Sequence, residues 1–174
     1  MTANKLQIIA STPRLYLRTF NPEEEDLYLD LYADESVTQF VNERSAAERK
    51  KRFAEGLARH QGGSGLGRWA IFNRQDDDFI GACRLEPTIQ NAHSVELGYV
   101  LHQKYWGKGI ATELVKILID YAFSKTATTE ILAYTHPANL ASQRVLEKSG
   151  FKRQDNIMKD GEPLAFFKLI KGLQ

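Results

Sequence analysis

The chain has 174 residues, 43% hydrophobic and 26% charged, with a net charge of +1. That length is read as one domain spanning residues 1–174 with a sizeable core, and the balance argues against a general binder of nucleic acid or membrane surfaces. One cysteine excludes an internal disulfide, neither a Cys pair nor a His-x-x-x-His spacing points to zinc or another metal, and no apolar run approaches a membrane span. The opening MTANKLQII carries no long apolar segment or cleavage site, so a cytoplasmic location is expected.

In chain order, Thr12 to Phe20 alternates as a first strand. Asn21-Pro22-Glu23-Glu24 then opens a helix with an N-cap, a proline at the first position and an acid three residues after the cap. Leu27, Tyr28, Leu31 and Tyr32 should face the core. Between Phe20 and Asn42 stand seven acids and no Lys or Arg, a run that is either a solvated helix face or an attractor for a cationic substrate. Ser45 to His60 reads as a second helix with a basic exposed face.

Gln61 to Gly67 is glycine-rich, but a strand follows it, so its amides lack the helix-start geometry that a phosphate loop needs. Arg68 to Phe72 and Phe79 to Leu85 form a hairpin across Gln75-Asp76-Asp77-Asp78. The lone Cys83 lies inside the second of these strands and is read as a buried structural thiol. His60, His93, His102 and His136 are scattered and expected at the surface or in local hydrogen bonds. Lys152 to Met158 and Leu164 to Ile170 form a last hairpin around Asp160-Gly161.

The most informative run is ELGYVLHQKYWGKGIATELVKILIDYAF, Glu96 to Phe123. Val95, Leu97, Tyr99 and Leu101 alternate as one face of a strand, with Glu96 on the other. Ala111, Leu114, Val115, Leu118, Ile119 and Ala122 fall at helical spacing. Between them, Gly107 and Gly109 let the backbone approach a ligand closely, and Lys104 and Lys108 add positive charge beside free helix-start N–H groups. Such a turn is a natural phosphate or pyrophosphate site. It is neither a P-loop, which needs GxxxxGK[ST], nor a dinucleotide fingerprint, since position 112 is Thr.

A second run, THPANLASQRVLEKSGF (Thr135 to Phe151), follows a strand at Thr129 to Thr135. Asn139 suits an N-cap, and Gly150 with Phe151 ends the helix.

WGKGIATEL resembles the acyl-CoA-binding signature of the GNAT N-acetyltransferase superfamily, [RQ]-x-x-G-x-[GA], with Trp106 where Arg or Gln is usual. YWGKGIATE and N-x-x-S-x-x-V-L-E-K-x-G-F together resemble the RimJ/RimL branch, the ribosomal-protein N-terminal acetyltransferases and their relatives. The resemblance implies a GNAT fold, α/β (α+β), with a mixed, mostly antiparallel sheet of about seven strands and about four helices. It implies acetyl-CoA as acyl donor, with the pyrophosphate on N–H groups from Gly107 through Lys108, Gly109, Ile110 and Ala111 to Thr112, beside Trp106. Tyr99, Val100 and Leu101 would line the donor, and Asn139 would contact the pantetheine arm. Arg144 and Lys148, on the helix after Asn139, are candidates for the 3′-phosphate or for plain solvent exposure.

The implied reaction is direct acetyl transfer to an amine in a ternary complex. Many superfamily members protonate the departing thiolate with a Tyr where this chain has Leu146, and the resemblance moves that role to Ser142. An N–H near Val100 would stabilise the oxyanion. Glu96 is the candidate general base, directly or through a water, with Glu86 and Glu162 as weaker alternatives. The expected acceptor is a primary amine, foremost a protein or peptide N-terminus. A polyamine, an amino-acid analogue, an antibiotic amine, or a non-catalytic acyl-CoA-binding module remain open. Relatives are often monomers or homodimers.

Overall fold

In the computed structural model, residues 6–173 are described. The first five residues, at the start of the MTANKLQII opening, lie outside them. The described residues form nine strands and five α-helices: β1 (Ile8–Ser11), β2 (Leu15–Thr19), α1 (Glu25–Leu31), α2 (Glu35–Thr38), α3 (Ala46–Gln61), β3 (Gly67–Asn73), β4 (Phe79–Pro87), β5 (Ser94–Leu101), α4 (Ile110–Lys125), β6 (Glu130–Thr135), α5 (Leu140–Lys148), β7 (Lys152–Arg153), β8 (Ile157–Lys159) and β9 (Glu162–Ile170).

The strand order is β1-β2-β3-β4-β5-β6-β9-β7, with β8 also paired to β9. β5 and β6 run parallel, in the register Ser94 to Glu130 through Leu97 to Ala133. β6 and β9 are antiparallel. Parallel neighbours need a crossover, and α4 supplies it. This is the mixed, mostly antiparallel sheet expected of the fold, with two more strands and one more helix than the sequence pattern yields. The first strand has an additional partner, β1, paired through a bulge between Ile8 and Ala10. The 152–158 run splits into β7 and β8 around Gln154-Asp155-Asn156, where the Gln154 N–H still reaches Phe166 O at 2.8 Å. The extra helix is α2, one turn capped by Asp34, whose carboxylate accepts from the Ser36 N–H at 2.9 Å.

The chain packs as two compact units. The residues up to Arg84 with Tyr99–Tyr105 make one, and Leu85–Gly98 with the chain from Trp106 onward make the other. In the first, Phe20, Tyr28, Leu31, Val37, Phe53, Ala70, Phe72, Phe79 and Ala82 form the core, with Leu27 and Tyr32 packed against it. Phe20 meets Tyr28 and Phe53 edge-on, at 5.8 and 5.3 Å between centroids. Asn21 caps the start of the helical segment in a capping box with Glu24, and Arg18 pairs with Glu24 at 2.6 Å.

Not all of the acidic run is free for a substrate. Glu24 is spent on the cap and Arg18, Glu25 meets Lys50 at 3.5 Å, and Asp34 caps α2. The second helix, α3, starts at Ser45 with its own capping box to Glu48. Its basic residues do not all face solvent, because Arg49 is buried with its guanidinium 4.1 Å above the Tyr32 ring.

In the second unit, Ile110, Leu114, Val115, Leu118, Ile119 and Ala122 bury one face of α4, and α5 packs beside it. Cys83, in the first unit, is a free, buried thiol, and burial pushes its pKa far up.

Candidate active site

After β5 the chain makes one 3-10 turn at Gln103–Tyr105 and enters α4 through Trp106 to Gly109. Gly107 and Gly109 both hold left-handed backbone, with φ of 69° and 76°. A Cβ at Gly107 would meet nothing within 4 Å. Glycine is therefore demanded there by the backbone, not by protein crowding, and the space above the turn is open.

Gly109 is the N-cap of a 16-residue helix and has no side chain to cap it. The first intrahelical bond runs from the Glu113 N–H to Gly109 O at 3.1 Å, which leaves the Ile110, Ala111 and Thr112 N–H groups ahead of it. An uncapped helix start behind two left-handed glycines fits a pyrophosphate on both amide direction and dipole. Trp106, Gly107, Lys108 and Gly109 are exposed, Ala111 and Thr112 half-buried, and Ile110 buried as the first core residue of α4. Lys104 does not add free charge at the turn as the sequence implied. Its ammonium is 2.5 Å from Asp78. The neighbouring Tyr105 hydroxyl also donates to Asp78, and burial with that contact raises its pKa to about 12.

The β6–α5 junction repeats the theme with a side-chain cap. Asn139 Oδ1 accepts from the Ser142 N–H at 3.1 Å. The His136 ring accepts from the Ala138 N–H, and Gln143 donates to Pro137 O at 2.8 Å. Ser142 is half-buried, whereas Arg144 and Lys148, one turn apart, are exposed. Leu146 is buried and closes on the Phe151 N–H through its carbonyl at 3.1 Å.

Along β5, Val95 and Leu97 are buried, and Glu96 is half-buried on the opposite face. Val100 and Tyr99 are half-buried and Leu101 buried near the end of the same strand. Gly81 on β4 lies so close to that backbone that a Cβ there would be 2.9 Å from Leu101 Cα and closer still to Val100 O.

Sequence reading missed the surroundings of Glu96. Its Oε2 accepts from Lys159 Nζ at 2.7 Å, and the same ammonium stands 4.2 Å above the Tyr134 ring. Tyr134 stacks on Phe166 at 5.0 Å. Burial, and then the charges of Glu96 and Glu130, raise the Tyr134 pKa. One step along the same face, Lys168 pairs with Glu130 at 3.1 Å. The Asp160-Gly161 turn between β8 and β9, with φ of 53° and 81°, brings Lys159 back to Glu96, 63 residues away in the chain. Of the alternative bases, Glu162 is exposed at the start of β9, across from Lys159, and Glu86 is half-buried on β4. Among the described residues, no group of His, Cys, Asp and Glu could hold a metal.

The sequence profile of the acetyltransferase (GNAT) domain matches residues 14–152. The chain belongs to the GNAT acetyltransferase family. It is 30% identical over 87% of its length, and 85% of the relative's, to a Bacillus licheniformis protein named "uncharacterized N-acetyltransferase p20".

Among solved structures it resembles RimL, a ribosomal L7/L12 alpha-N-protein acetyltransferase in complex with coenzyme A. The TM-score is 0.77 at 18% identity, covering 94% of this chain and 98% of that one. It also resembles the aminoglycoside acetyltransferase AAC(6′)-Ib in complex with coenzyme A, with a TM-score of 0.76 at 16% identity, covering 90% and 95%. At those identities the likeness is one of fold. The GNAT N-acetyltransferase therefore has RimL-like structural neighbours, and its acceptor is left to chemistry.

Proposed function

We propose that this N-acetyltransferase moves the acetyl group of acetyl-CoA to the α-amine of a protein or peptide N-terminus. The observation that carries the donor half is the uncapped α4 N-terminus behind Gly107 and Gly109, open above Gly107. N–H groups from Gly107 to Thr112 would hold the pyrophosphate, and Trp106, Tyr99, Val100 and Leu101 would line the donor. Asn139 would meet the pantetheine arm, and Arg144 and Lys148 the 3′-phosphate. The Val100 N–H would take the oxyanion, and Ser142 would supply the hydrogen bond to the departing sulfur.

The acceptor half rests on proton chemistry. An α-amine, with a reference pKa near 8, is roughly a tenth neutral at pH 7, whereas a free lysine amine is neutral at well under ~0.1%. The difference is roughly 3 kcal/mol of deprotonation, so an α-amine asks less of Glu96 as base. The resemblance of both motifs to the RimJ/RimL branch supports the same choice.

A thiol-release assay with acetyl-CoA tests it, comparing peptides that carry free N-termini, the same peptides blocked at the N-terminus, polyamines and aminoglycosides. Turnover confined to free N-termini is expected. Turnover of aminoglycosides or polyamines alone would replace the acceptor while keeping the chemistry, and coenzyme binding without turnover of any amine would indicate a non-catalytic module.

A further inference from the structure

The Lys159 ammonium stands beside Glu96, the proposed general base. It is 2.7 Å from Oε2 and 4.2 Å above the Tyr134 ring, which is hydrogen-bond distance to a base plus a cation-binding face. The Lys159 side chain is 37% exposed, so it can leave and return, while the Glu96 side chain is 17% exposed. A base that collects the proton of an incoming amine therefore already has an amine beside it, tethered by its own hairpin.

We propose that Lys159 is itself an acetyl acceptor: given acetyl-CoA and no external amine, the enzyme acetylates its own Lys159 Nζ. This rests on the assignment of Glu96 as general base. The Nζ lone pair forms the N–C bond to the thioester carbonyl carbon, and the C–S bond breaks with its electrons on sulfur. The ammonium sheds two protons, one passing through Glu96 to solvent and one ending on the coenzyme thiol. Acetylated Lys159 has no charge, so its ion pair with Glu96 ends.

Magnitudes allow the step. An ordinary lysine amine is neutral in roughly one molecule in a few thousand at pH 7. Holding a nucleophile in place is worth effective molarities of about 10⁵ M or more. With Nζ held against the thioester, that gain would outweigh the protonation deficit by more than a decade.

The structure supplies its own control. Lys168 sits in a matching ion pair with Glu130 at 3.1 Å, with side-chain exposures of 34% and 20%. Chemical acetylation by the thioester should treat the two lysines alike.

The test incubates the intact protein with isotope-labelled acetyl-CoA, digests it, and follows acetyl occupancy at Lys159 and Lys168 by mass spectrometry. Glu96→Gln is run in parallel with a thermal melt to confirm folding. Labelling of Lys159 should exceed that of Lys168 by roughly a hundredfold, the scale of general base catalysis, and should collapse to the Lys168 rate in Glu96→Gln. Uncatalysed chemistry predicts the opposite sign, because losing the ion pair frees the Lys159 amine and raises its labelling. Equal rates at the two lysines, or a rate that holds or rises in Glu96→Gln, overturn the inference. Peptide turnover by the same variant separates the two claims. If Glu96→Gln abolishes turnover while wild-type Lys159 stays unlabelled, self-acetylation alone falls. If turnover survives, the base assignment falls with it.

Discussion

Replacing Gly107 by alanine separates the backbone role of the turn from its ligand role. At φ of 69° a residue with a Cβ pays about 1–2 kcal/mol for left-handed backbone. No clash adds to this, because the new methyl meets no protein atom within 4 Å. The unfolding free energy should therefore fall by about 1–2 kcal/mol, which in a domain of this size lowers Tm by about 2–8 °C. Gly63 provides the matched reference, with φ of 75° and equally open surroundings. Gly63→Ala should cost the same stability.

The two variants should part in coenzyme binding. The methyl added at Gly107 would enter the space proposed for the pyrophosphate, so acetyl-CoA affinity should drop by more than tenfold, or about 1.4 kcal/mol. Gly63→Ala should bind as wild type. Thermal melts and calorimetric titration of both variants suffice. If Gly107→Ala loses stability yet binds acetyl-CoA like Gly63→Ala, the turn is only a turn.

Gly81→Ala should be worse than either, because its Cβ would press into the β5 backbone at Leu101 Cα, 2.9 Å away. A loss of roughly 1–3 kcal/mol or more in denaturant unfolding is expected, and a neutral result would contradict the close approach of β4 and β5. Ser142→Ala keeps the α5 cap, since Asn139 bonds the Ser142 backbone N–H. It should bind acetyl-CoA normally and lose kcat by about a hundredfold, whereas Asn139→Ala should cost about 1 kcal/mol of stability. Unchanged turnover would remove Ser142 from the mechanism.

Glu24 carries a pH signature. Burial raises its pKa, but the Arg18 hydrogen bond, the Asn21 N–H and the Arg18 charge together outweigh burial and hold it below the usual range. A depressed carboxylate stabilises the fold above its unfolded pKa, near 4.3, and loses that contribution as pH falls through the folded value. Glu24→Gln should therefore melt below wild type at pH 7, with the gap closing as pH falls through and below the ordinary glutamate range. A gap that does not change with pH would show the contact to be non-ionic.

What was legible in the sequence is what is local. The α4 stripe and the Gly107–Gly109 turn depend on neighbours within a few residues, and the capping pattern at Asn21 is a four-residue signal. β1 was not legible, because the bulge at Ile8 to Ala10 breaks the alternation and only pairing with β2 makes it a strand. α2 is four residues long, too short to show a helical period. Arg49 reads as a surface base until Tyr32 is seen beneath its guanidinium. Glu96 could be singled out as a polar residue opposite an apolar face. Lys159, its partner across 63 residues, is placed by three strand pairings that sequence spacing does not encode. The turn proposed for the pyrophosphate is thus written in one segment, and the surroundings of the proposed base are assembled by the sheet.

The most direct test of the whole account is calorimetric titration of the protein with acetyl-CoA, with dephospho-CoA alongside. It requires no acceptor. Micromolar binding of acetyl-CoA is expected, weakened when the 3′-phosphate is missing if Arg144 and Lys148 hold it as proposed. Absence of binding by either ligand would contradict the assignment of the α4 N-terminus, and with it every role given to Ser142, Val100 and Glu96.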